Sequence, residues 1–332
     1  MNRTACLLIL FGCFYCAHLG CSETAAAQVL QLSPFGTPVG RTPLVAARNG
    51  HLYLLDDYTN RLFICDPSGH ILHTVGSIGD GPGQFYRPSA MVITSRSIVV
   101  FDKGNRRIEV LSLDGAFQRD FAVHGDIFSM AAGDDGRVYV NDPSSGSLIT
   151  VLSADGKIMK SFGALSSVSS LYRTSDRSRD DQFRLQANRV RLAVDKSEHI
   201  YATFLIVPVI REYSTDGSLV QEVAISGETA RRLADTFWHG AKEARIVSGV
   251  IDGKQVPFLI KGISVDPATH HLLVLTAFST VFIFEADCRQ INQIEVRGVL
   301  DWQLWSMAVE GRSIWFVRTF LPGSFRGELP PT

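Results

Sequence analysis

Short apolar runs recur along the chain, and each is bounded by turns rich in glycine, aspartate or asparagine. Residues 76–115 show this pattern most fully. The parts of the stretch follow in a fixed order: a glycine-rich turn (Gly76–Gly83), Pro88, two apolar runs, a polar corner (Asp102, Asn105 and Arg107), a third run and an Asp114-Gly115 turn. Runs of this length, rich in Val, Ile and Phe and separated by Asp-Gly turns, predict β-strands rather than helices.

The same unit recurs on both sides of this stretch and can be followed by its Asp-Gly turn and the strands before it. Copies begin at or near Arg41, Arg87, Asp126, Asn188 and Lys261. A sixth copy, starting with the run LWSMAVEG, is incomplete when the sequence ends. The segment Val29–Phe35 matches the last strand of the other copies, yet it precedes the first copy. We therefore expect this segment to complete the sixth unit.

The glycine turn, the Asp102-x-x-Asn105-x-Arg107 corner and the Asp-Gly turn together resemble a blade of the NHL-type β-propeller family, in its bacterial exported or lipoprotein form. The resemblance implies an all-β, six-bladed β-propeller whose last blade is closed by an N-terminal strand. Closure of this kind removes the free edges of a sheet. The three polar residues of the corner are expected to brace a turn. A two-sheet sandwich, the alternative, does not account for the repeating Asp-Gly turns.

Two segments do not fit the repeat. Residues 164–183 are rich in serine and arginine and are expected to form a loop. Residues 226–256 include the sequence ETARRLADTFWHGAKEAR, in which apolar residues recur at helical spacing. This pattern predicts one short amphipathic helix inserted between blades four and five. With these two insertions, residues 28–332 are expected to form a single propeller domain.

Residues 1–27 resemble a secretory signal peptide, with Arg3 before an apolar run that is short for a membrane span. Two cleavage sites remain open. The sequence LGCS at 19–22 resembles a lipoprotein box in which Cys21 is lipidated, whereas AAA at 25–27 suits ordinary signal peptidase. We therefore expect an exported protein, either periplasmic or anchored to the outer membrane as a lipoprotein.

Two cysteines, Cys65 and Cys288, follow the predicted signal peptide. By repeat alignment they fall in non-adjacent blades, so no disulfide between them is expected. The chain carries 32 basic and 33 acidic residues, a balance that argues against nucleic acid as a partner. We expect a monomer that contacts a membrane only through an N-terminal lipid.

The predicted innermost strands carry no motif for catalysis or cofactor binding. Their interiors are apolar or small, and the acids Asp195, Asp266 and Glu310 fall at strand ends. Similar six-bladed propellers include lactonases and a peptide-amidating lyase, whose channels hold calcium or zinc through converging oxygens or histidines. The 9 histidines here are scattered over turns. We therefore predict no catalytic residue, metal site or cofactor, and we keep a metal-dependent lactonase, hydrolase or lyase as the alternative.

Both insertions join the outermost strand of one blade to the innermost strand of the next, so they emerge at the same end of the ring. Binding residues are concentrated on loops, and we therefore take this end as the candidate working face. The residues that open the innermost strands there include four cations: Arg41, Arg87, Arg189 and Lys261. Like charges around a channel mouth favour an anionic ligand. Alternatively, these side chains are solvated or paired with neighbouring aspartates.

Apolar residues occupy the turn tips of blades four to six, where the earlier blades have polar ones. The candidate apolar rim consists of Phe204, Phe278 and Phe320, with Trp238 on the predicted helix. An exposed apolar patch of this kind marks a binding surface. Alternatively, the helix covers these tips, because an amphipathic helix has to bury its apolar side.

These features favour an extracytoplasmic binding or scaffold module whose ligand is a protein or a partly anionic polymer. The mixture of central charge and apolar rim suits an extended ligand. A structural component of an envelope assembly is a further alternative.

Overall fold

The computed structural model describes residues 28–35, 44–166, 184–239, 248–251, 254–297, 299, 304–318 and 324–330. Of residues 234–239, 248–251 and 254–257 it describes the backbone. The predicted signal peptide 1–27 with Cys21, most of the loop 164–183, and the site candidates Arg41 and Phe320 lie outside the described residues. The side chain of Trp238 lies outside them as well.

The described strands form six blades, each an antiparallel sheet of consecutive strands. The first strands are β1 (Gln28–Gln31) and β2 (Ser33–Phe35). Blade one holds β3 (Leu44–Arg48), β4 (His51–Asp56), β5 (Arg61–Cys65) and β6 (Ile71–Val75). Blade two holds β7 (Pro88–Ile93), β8 (Ser97–Asp102), β9 (Arg107–Ser112) and β10 (Phe117–Ala122). Blade three holds β11 (Ser129–Ala132), β12 (Val138–Asn141), β13 (Ile149–Leu152) and β14 (Ile158–Phe162).

The second half of the ring repeats this arrangement around one insertion. Blade four holds β15 (Val190–Val194), β16 (Ile200–Phe204), β17 (Val209–Tyr213) and β18 (Leu219–Ala224). The insertion contains α1 (Glu228–His239), β19 (Ser248–Ile251) and β20 (Lys254–Pro257). Blade five holds β21 (Ile260–Val265), β22 (Leu272–Thr276), β23 (Thr280–Phe284) and β24 (Gln290–Arg297). Blade six holds β25 (Leu304–Glu310), β26 (Ser313–Arg318) and β27 (Ser324–Glu328).

The innermost strands close the ring by contacting one another in sequence. Strand β3 contacts β7, β7 contacts β11, and the series continues through β15, β21 and β25 back to β3. Middle strands such as β4 and β5 are buried along nearly their whole length, because both sides of each blade pack against neighbouring blades. Outermost strands such as β6 are exposed. The six-bladed all-β propeller predicted from the repeats is confirmed.

The N-terminal strands join the two ends of the ring, as predicted, but they contact two blades rather than one. Strand β2 pairs antiparallel with β27 and supplies the fourth strand of blade six. Strand β1 pairs parallel with β24, the outermost strand of blade five. Leu30 of β1 is 4% exposed and packs against Gly327 of β27, where a β-carbon would lie 2.9 Å from a Leu30 methyl carbon. A side chain at position 327 would therefore collide with the closing strand.

The polar corner of blade two acts as a brace, as predicted. The Arg107 guanidinium donates through Nε to Asp102 Oδ2 (3.1 Å), and Asn105 Nδ2 donates to the same oxygen (2.6 Å). A second Arg107 nitrogen lies 2.6 Å from Glu109 Oε1. Asp102 and Glu109 are both fully buried, so Arg107 neutralises charge in the interior of the blade. Burial, opposed by the Arg107 charge, raises the pKa of Glu109 to about 7.

Arg107 also fixes the glycine-rich connection between blades one and two. Its two terminal nitrogens donate to three backbone carbonyls of that connection, those of Asp80, Gly81 and Gln84, at 2.8, 3.0 and 2.8 Å. Gly79 has a φ of +159°, and a β-carbon there would lie 2.2 Å from the Gln84 side chain. Gly79 therefore allows the connection to fold closely onto its own Gln84 side chain.

The predicted helical insertion lies between blades four and five, where α1 follows β18 and precedes β21. Its residues Ala230 and Leu233 are buried, and Leu233 packs against Leu205, Leu259 and Trp305. The helix is described as far as His239, and the later predicted positions up to Ala244 lie outside the described residues. The helix thus covers the turn between β16 and β17.

The remaining sequence features are also located. Cys65 and Cys288 are both buried, and neither forms a disulfide with another described residue. Burial, together with the nearby Glu212 charge, raises the pKa of the Cys288 thiol to about 12. Within the part of the chain that the structure describes, no helix has the length and apolarity that a membrane crossing requires.

Candidate functional site

One end of the ring carries the turns between the second and third strands of each blade and the connections between blades. We call this end the mouth face. The insertion with α1 and the connection that ends at Asn188 both emerge there, because each links an outermost strand to an innermost one. The topology therefore gathers the irregular parts of the chain at one entrance of the channel.

A cavity of about 190 Å³ opens at the centre of the mouth face. Its walls come from blades one, two, three, four and six, so that no single repeat builds it. Its lining includes Ser89, Asp126, Phe128, Arg189, Arg191 and Trp305. A smaller cavity of about 90 Å³ lies deeper in the channel. Leu44, Phe128 and Arg191 line both cavities.

Cations and aromatic rings alternate along one side of this channel. Arg189 and Arg191 lie on the Phe128 ring, with their guanidinium carbons 5.1 and 5.0 Å from its centroid. Arg191 also lies 5.0 Å from the Trp305 ring, and Lys261 Nζ lies 5.4 Å from the same ring. These distances are those of cation–π contacts. The two rings therefore hold three cations in one row, which we call the cation row.

Among the described residues that line the mouth cavity, two carry a carboxylate and three carry a positive charge. Asp126 lies 2.7 Å from Lys103 Nζ and 3.6 Å from an Arg189 nitrogen, so one carboxylate serves two cations. Burial lowers the pKa of Arg191 to about 10. Burial, helped by the Arg191 charge, lowers the pKa of Lys261 to about 7. The cation row therefore carries positive charge that is costly in this environment and that an anion would stabilise.

The structure distributes the four predicted mouth cations differently from one another. Arg189 lines the mouth cavity, whereas Lys261 is buried and lines the deeper one. Arg87 is exposed and does not line either cavity; its backbone N–H donates to Asn60 Oδ1 at 2.7 Å. Arg41 lies outside the described residues. Their role in binding remains a prediction.

Sequence reasoning missed the residue at the centre of the cation row, Arg191. The signal was present, because Arg191 on β15 follows Arg189, the residue just before that strand, by two positions, and residues at that spacing point to the same side of an extended chain. It was also missed that Phe128 and Trp305 would stand between the cations. Nothing in either local sequence marks these rings as channel residues.

The predicted apolar rim is largely interior where the structure describes it. Phe204 is 1% exposed, and the Arg211 guanidinium covers its ring at 4.8 Å. Phe278 is partly buried against the cluster that contains Leu233, and Arg232 lies 4.5 Å from its ring. The helix thus covers the Phe278 tip, as the second of the two interpretations expects, whereas Phe204 is buried between blades three and four. The rim candidates Phe320 and the Trp238 side chain lie outside the described residues.

Among the described residues, no group of three or more His, Cys, Asp or Glu side chains is arranged to hold a metal ion. The histidine–carboxylate pairs that do occur lie in turns or between strands away from the mouth cavity, as with His199 Nδ1 and Glu212 Oε1 at 2.6 Å. The described part of the mouth cavity offers positive charge, ring faces, a hydroxyl group and the carboxylates of Asp57 and Asp126.

These observations define the class of the protein as a six-bladed β-propeller with a cationic channel mouth. A family model described as "6-bladed beta-propeller" (DUF5128) matches residues 36–156, about the first three blades. A comparison with curated proteins finds no match. The narrower NHL-type assignment stays a prediction.

Solved structures with the same fold are distant in sequence. A Bacteroides fragilis protein provisionally named as exported is 13% identical, with a TM-score of 0.57 over 93% of this chain and 98% of that one. A streptogramin B lyase is 12% identical, with a TM-score of 0.54 over 94% and 90%. The WD40 repeats of RRP9 are 12% identical, with a TM-score of 0.56 over 92% and 100%. At these identities the likeness concerns the fold alone.

Proposed function

We propose that this protein is an extracytoplasmic binding module whose mouth face binds a protein or a partly anionic polymer. The observation that carries the proposal is the cation row, in which Arg189 shares Asp126 with Lys103 and Arg191 has no carboxylate partner among the described residues. Holding such charge in a partly desolvated channel costs free energy unless an anion compensates it. A ligand group with negative charge would supply that compensation.

The location outside the cytoplasm is supported from two sides. Residues 1–27 have the layout of an export signal, and the Bacteroides fragilis neighbour is named as exported.

Polygalacturonate, a polymer of carboxylate-bearing sugars, is the probe that tests the proposal, with dextran as the neutral control. We expect salt-sensitive binding of polygalacturonate to protein lacking residues 1–27, because screening weakens exposed charge pairs. The double variant Arg87→Glu and Arg189→Glu should lose this binding while unfolding at the same temperature. Arg297→Glu, a change on the outer strand β24, serves as the matched control. Equal binding of both polymers at low salt would refute the proposal.

One observation favours a second function, that of a lyase or hydrolase with a metal in the channel. The fold neighbours include a streptogramin B lyase and a Staphylococcus aureus virginiamycin B lyase determined with quinupristin. Native mass spectrometry with elemental analysis separates the two functions. A stoichiometric calcium or zinc ion in the purified protein would support the enzyme. Binding of polygalacturonate that persists after treatment with a chelator would support the binding module.

A further inference from the structure

Arg191 is held in one orientation at the base of the mouth cavity. Its Nε donates to the Lys261 carbonyl at 3.1 Å, and the Phe128 and Trp305 rings lie on either side at 5.0 Å. Among the described residues, its two terminal nitrogens have no hydrogen-bond acceptor and no carboxylate partner. A guanidinium fixed through Nε presents the paired N–H groups that bind a carboxylate in bidentate fashion.

A second polar group in the cavity wall also lacks a partner. The Ser89 hydroxyl is buried and has no hydrogen-bond partner in the described part of the chain. Ser89 lines the same cavity as Arg191. A buried hydroxyl without a partner costs about 1–3 kcal/mol. A ligand oxygen or a water molecule within hydrogen-bond distance of the Ser89 hydroxyl would remove that cost.

The charge of the wall limits the charge of the anion. Asp57 and Asp126 line the same cavity on the side of blades one and three. A dianion such as phosphate would meet their repulsion in addition to the attraction of Arg191, whereas a monoanion would meet less of it. A planar monoanion also matches the planar fork of a guanidinium better than a tetrahedral group does.

The volume of the cavity limits the size of the group that enters. At about 190 Å³ it is slightly larger than an engineered cavity of about 150 Å³ that holds benzene. The deeper cavity, which shares Leu44, Phe128 and Arg191 with it, is smaller at about 90 Å³. The cavity thus admits one ring, and a longer ligand has to continue outward across the mouth face.

We propose that the mouth cavity binds a single carboxylate, carried on a body of about one six-membered ring, against Arg191 and Ser89. The inference rests on the proposed function and names the chemical group that enters the channel. It assigns the specificity of the site to a carboxylate at a chain end or on a side branch of the ligand. The rest of the ligand would then lie along the mouth face.

Calorimetric titration with two matched pairs of small molecules tests this inference. Glucuronate is compared with glucose, and benzoate with benzamide, so that each pair differs in the carboxylate. We expect each carboxylate to bind at least about tenfold more tightly than its neutral partner. Arg191→Gln should remove this preference, and Arg191→Lys should restore little of it because the fork is lost. Arg297→Gln should leave it unchanged.

Several results would overturn the inference: equal affinities within each pair, tighter binding of inorganic phosphate than of either carboxylate, or an unchanged preference in Arg191→Gln. Should Arg191→Gln fail to fold, the arginine Nε–H resonances of the wild type provide the second test. The Arg191 resonance is assigned by elimination, as one that persists in every variant of a surface arginine. Benzoate should shift this resonance, and the absence of any such shift would refute binding at Arg191.

Failure of this inference can be told apart from failure of the proposed function. Binding of polygalacturonate without any preference for small carboxylates would retain the binding module and reject the cavity as its recognition point. Absence of binding in both experiments would reject both.

Discussion

Replacing Arg107 with leucine provides a demanding test of how the blades are held, because one side chain serves both a buried charge cluster and a connection between blades. The change leaves Asp102 and Glu109 buried without their cation. Glu109 can take up a proton at little cost, because its pKa is already about 7. Asp102 keeps its bonds from Asn105 and from the Tyr86 N–H, but it has to remain charged in the interior or be protonated.

The magnitude follows from these contacts. Removing one partner of a buried ion pair costs about 3–5 kcal/mol. The pair with Asp120 adds little, because the Asp120 side chain is 41% exposed. With an unfolding entropy of about 2.1 cal/mol/K per residue over about 300 residues, the melting temperature should fall by about 5–8 °C.

Differential scanning calorimetry of Arg107→Leu measures this change directly. The matched control is Arg297→Leu, because Arg297 pairs with Glu295 at 3.0 Å on the exposed side of blade five. An exposed pair is worth at most about 1 kcal/mol, and the control should melt within about 2 °C of the wild type. Equal melting temperatures for the two variants would refute the account of Arg107 as a structural hub.

Three further changes test the electrostatics and the closure of the ring. Glu109→Gln should stabilise the protein at pH 8 and have little effect at pH 4, because the pKa of Glu109 in the folded protein, about 7, exceeds the ordinary value of 4.5 and its ionisation at rising pH costs stability. Urea unfolding at both pH values checks this, and an equal effect at both would contradict it. Lys261→Met should raise the free energy of unfolding most at pH 6 and progressively less toward pH 10. The pKa of Lys261 in the folded protein, about 7, lies below the ordinary 10.5, so the wild type regains stability as its buried amine loses the proton over that interval. A gain that does not depend on pH would contradict a buried charge. Leu30→Asp should lower the free energy of unfolding by about 3 kcal/mol or more, because Leu30 is 4% exposed in the closing strand β1. The control Val29→Asp, at a neighbouring position that is 48% exposed, should change it little. Similar losses from both variants would show that β1 does not bury its side chains selectively.

The repeat made the fold predictable, because strand period, turn chemistry and the polar corner indicate the same structure. The corner around Asp102 and Arg107 could be assigned from sequence, since its residues lie within one hairpin. The parallel addition of β1 to blade five could not. A four-residue strand carries no information on whether its partner runs parallel or antiparallel, and its partner lies at the other end of the chain.

The channel mouth was predictable in sign but not in detail. Cations at the start of the innermost strands indicated a positive mouth, and Arg189 lies there. Lys261 and Arg87, which align with it in the repeat, lie at different depths because the connections before them differ in length and path. Which side chains meet in the channel depends on contacts across the ring, and Trp305 reaches Arg191 from a blade that is distant in sequence.

The pairing of Gln28 with Asn292, 264 positions apart, sets the order in which the molecule can be completed. Blades one to four are each made of consecutive strands and can form while later residues are still being synthesised or translocated. The closing strands β1 and β2 emerge first, yet their partners in blades five and six emerge last. Until then both edges of the incomplete ring offer unpaired backbone to other chains. The protein is therefore most exposed to aggregation between the appearance of its first strand and of its last, and a shortage of chaperones should affect this interval more than the stability of the finished ring.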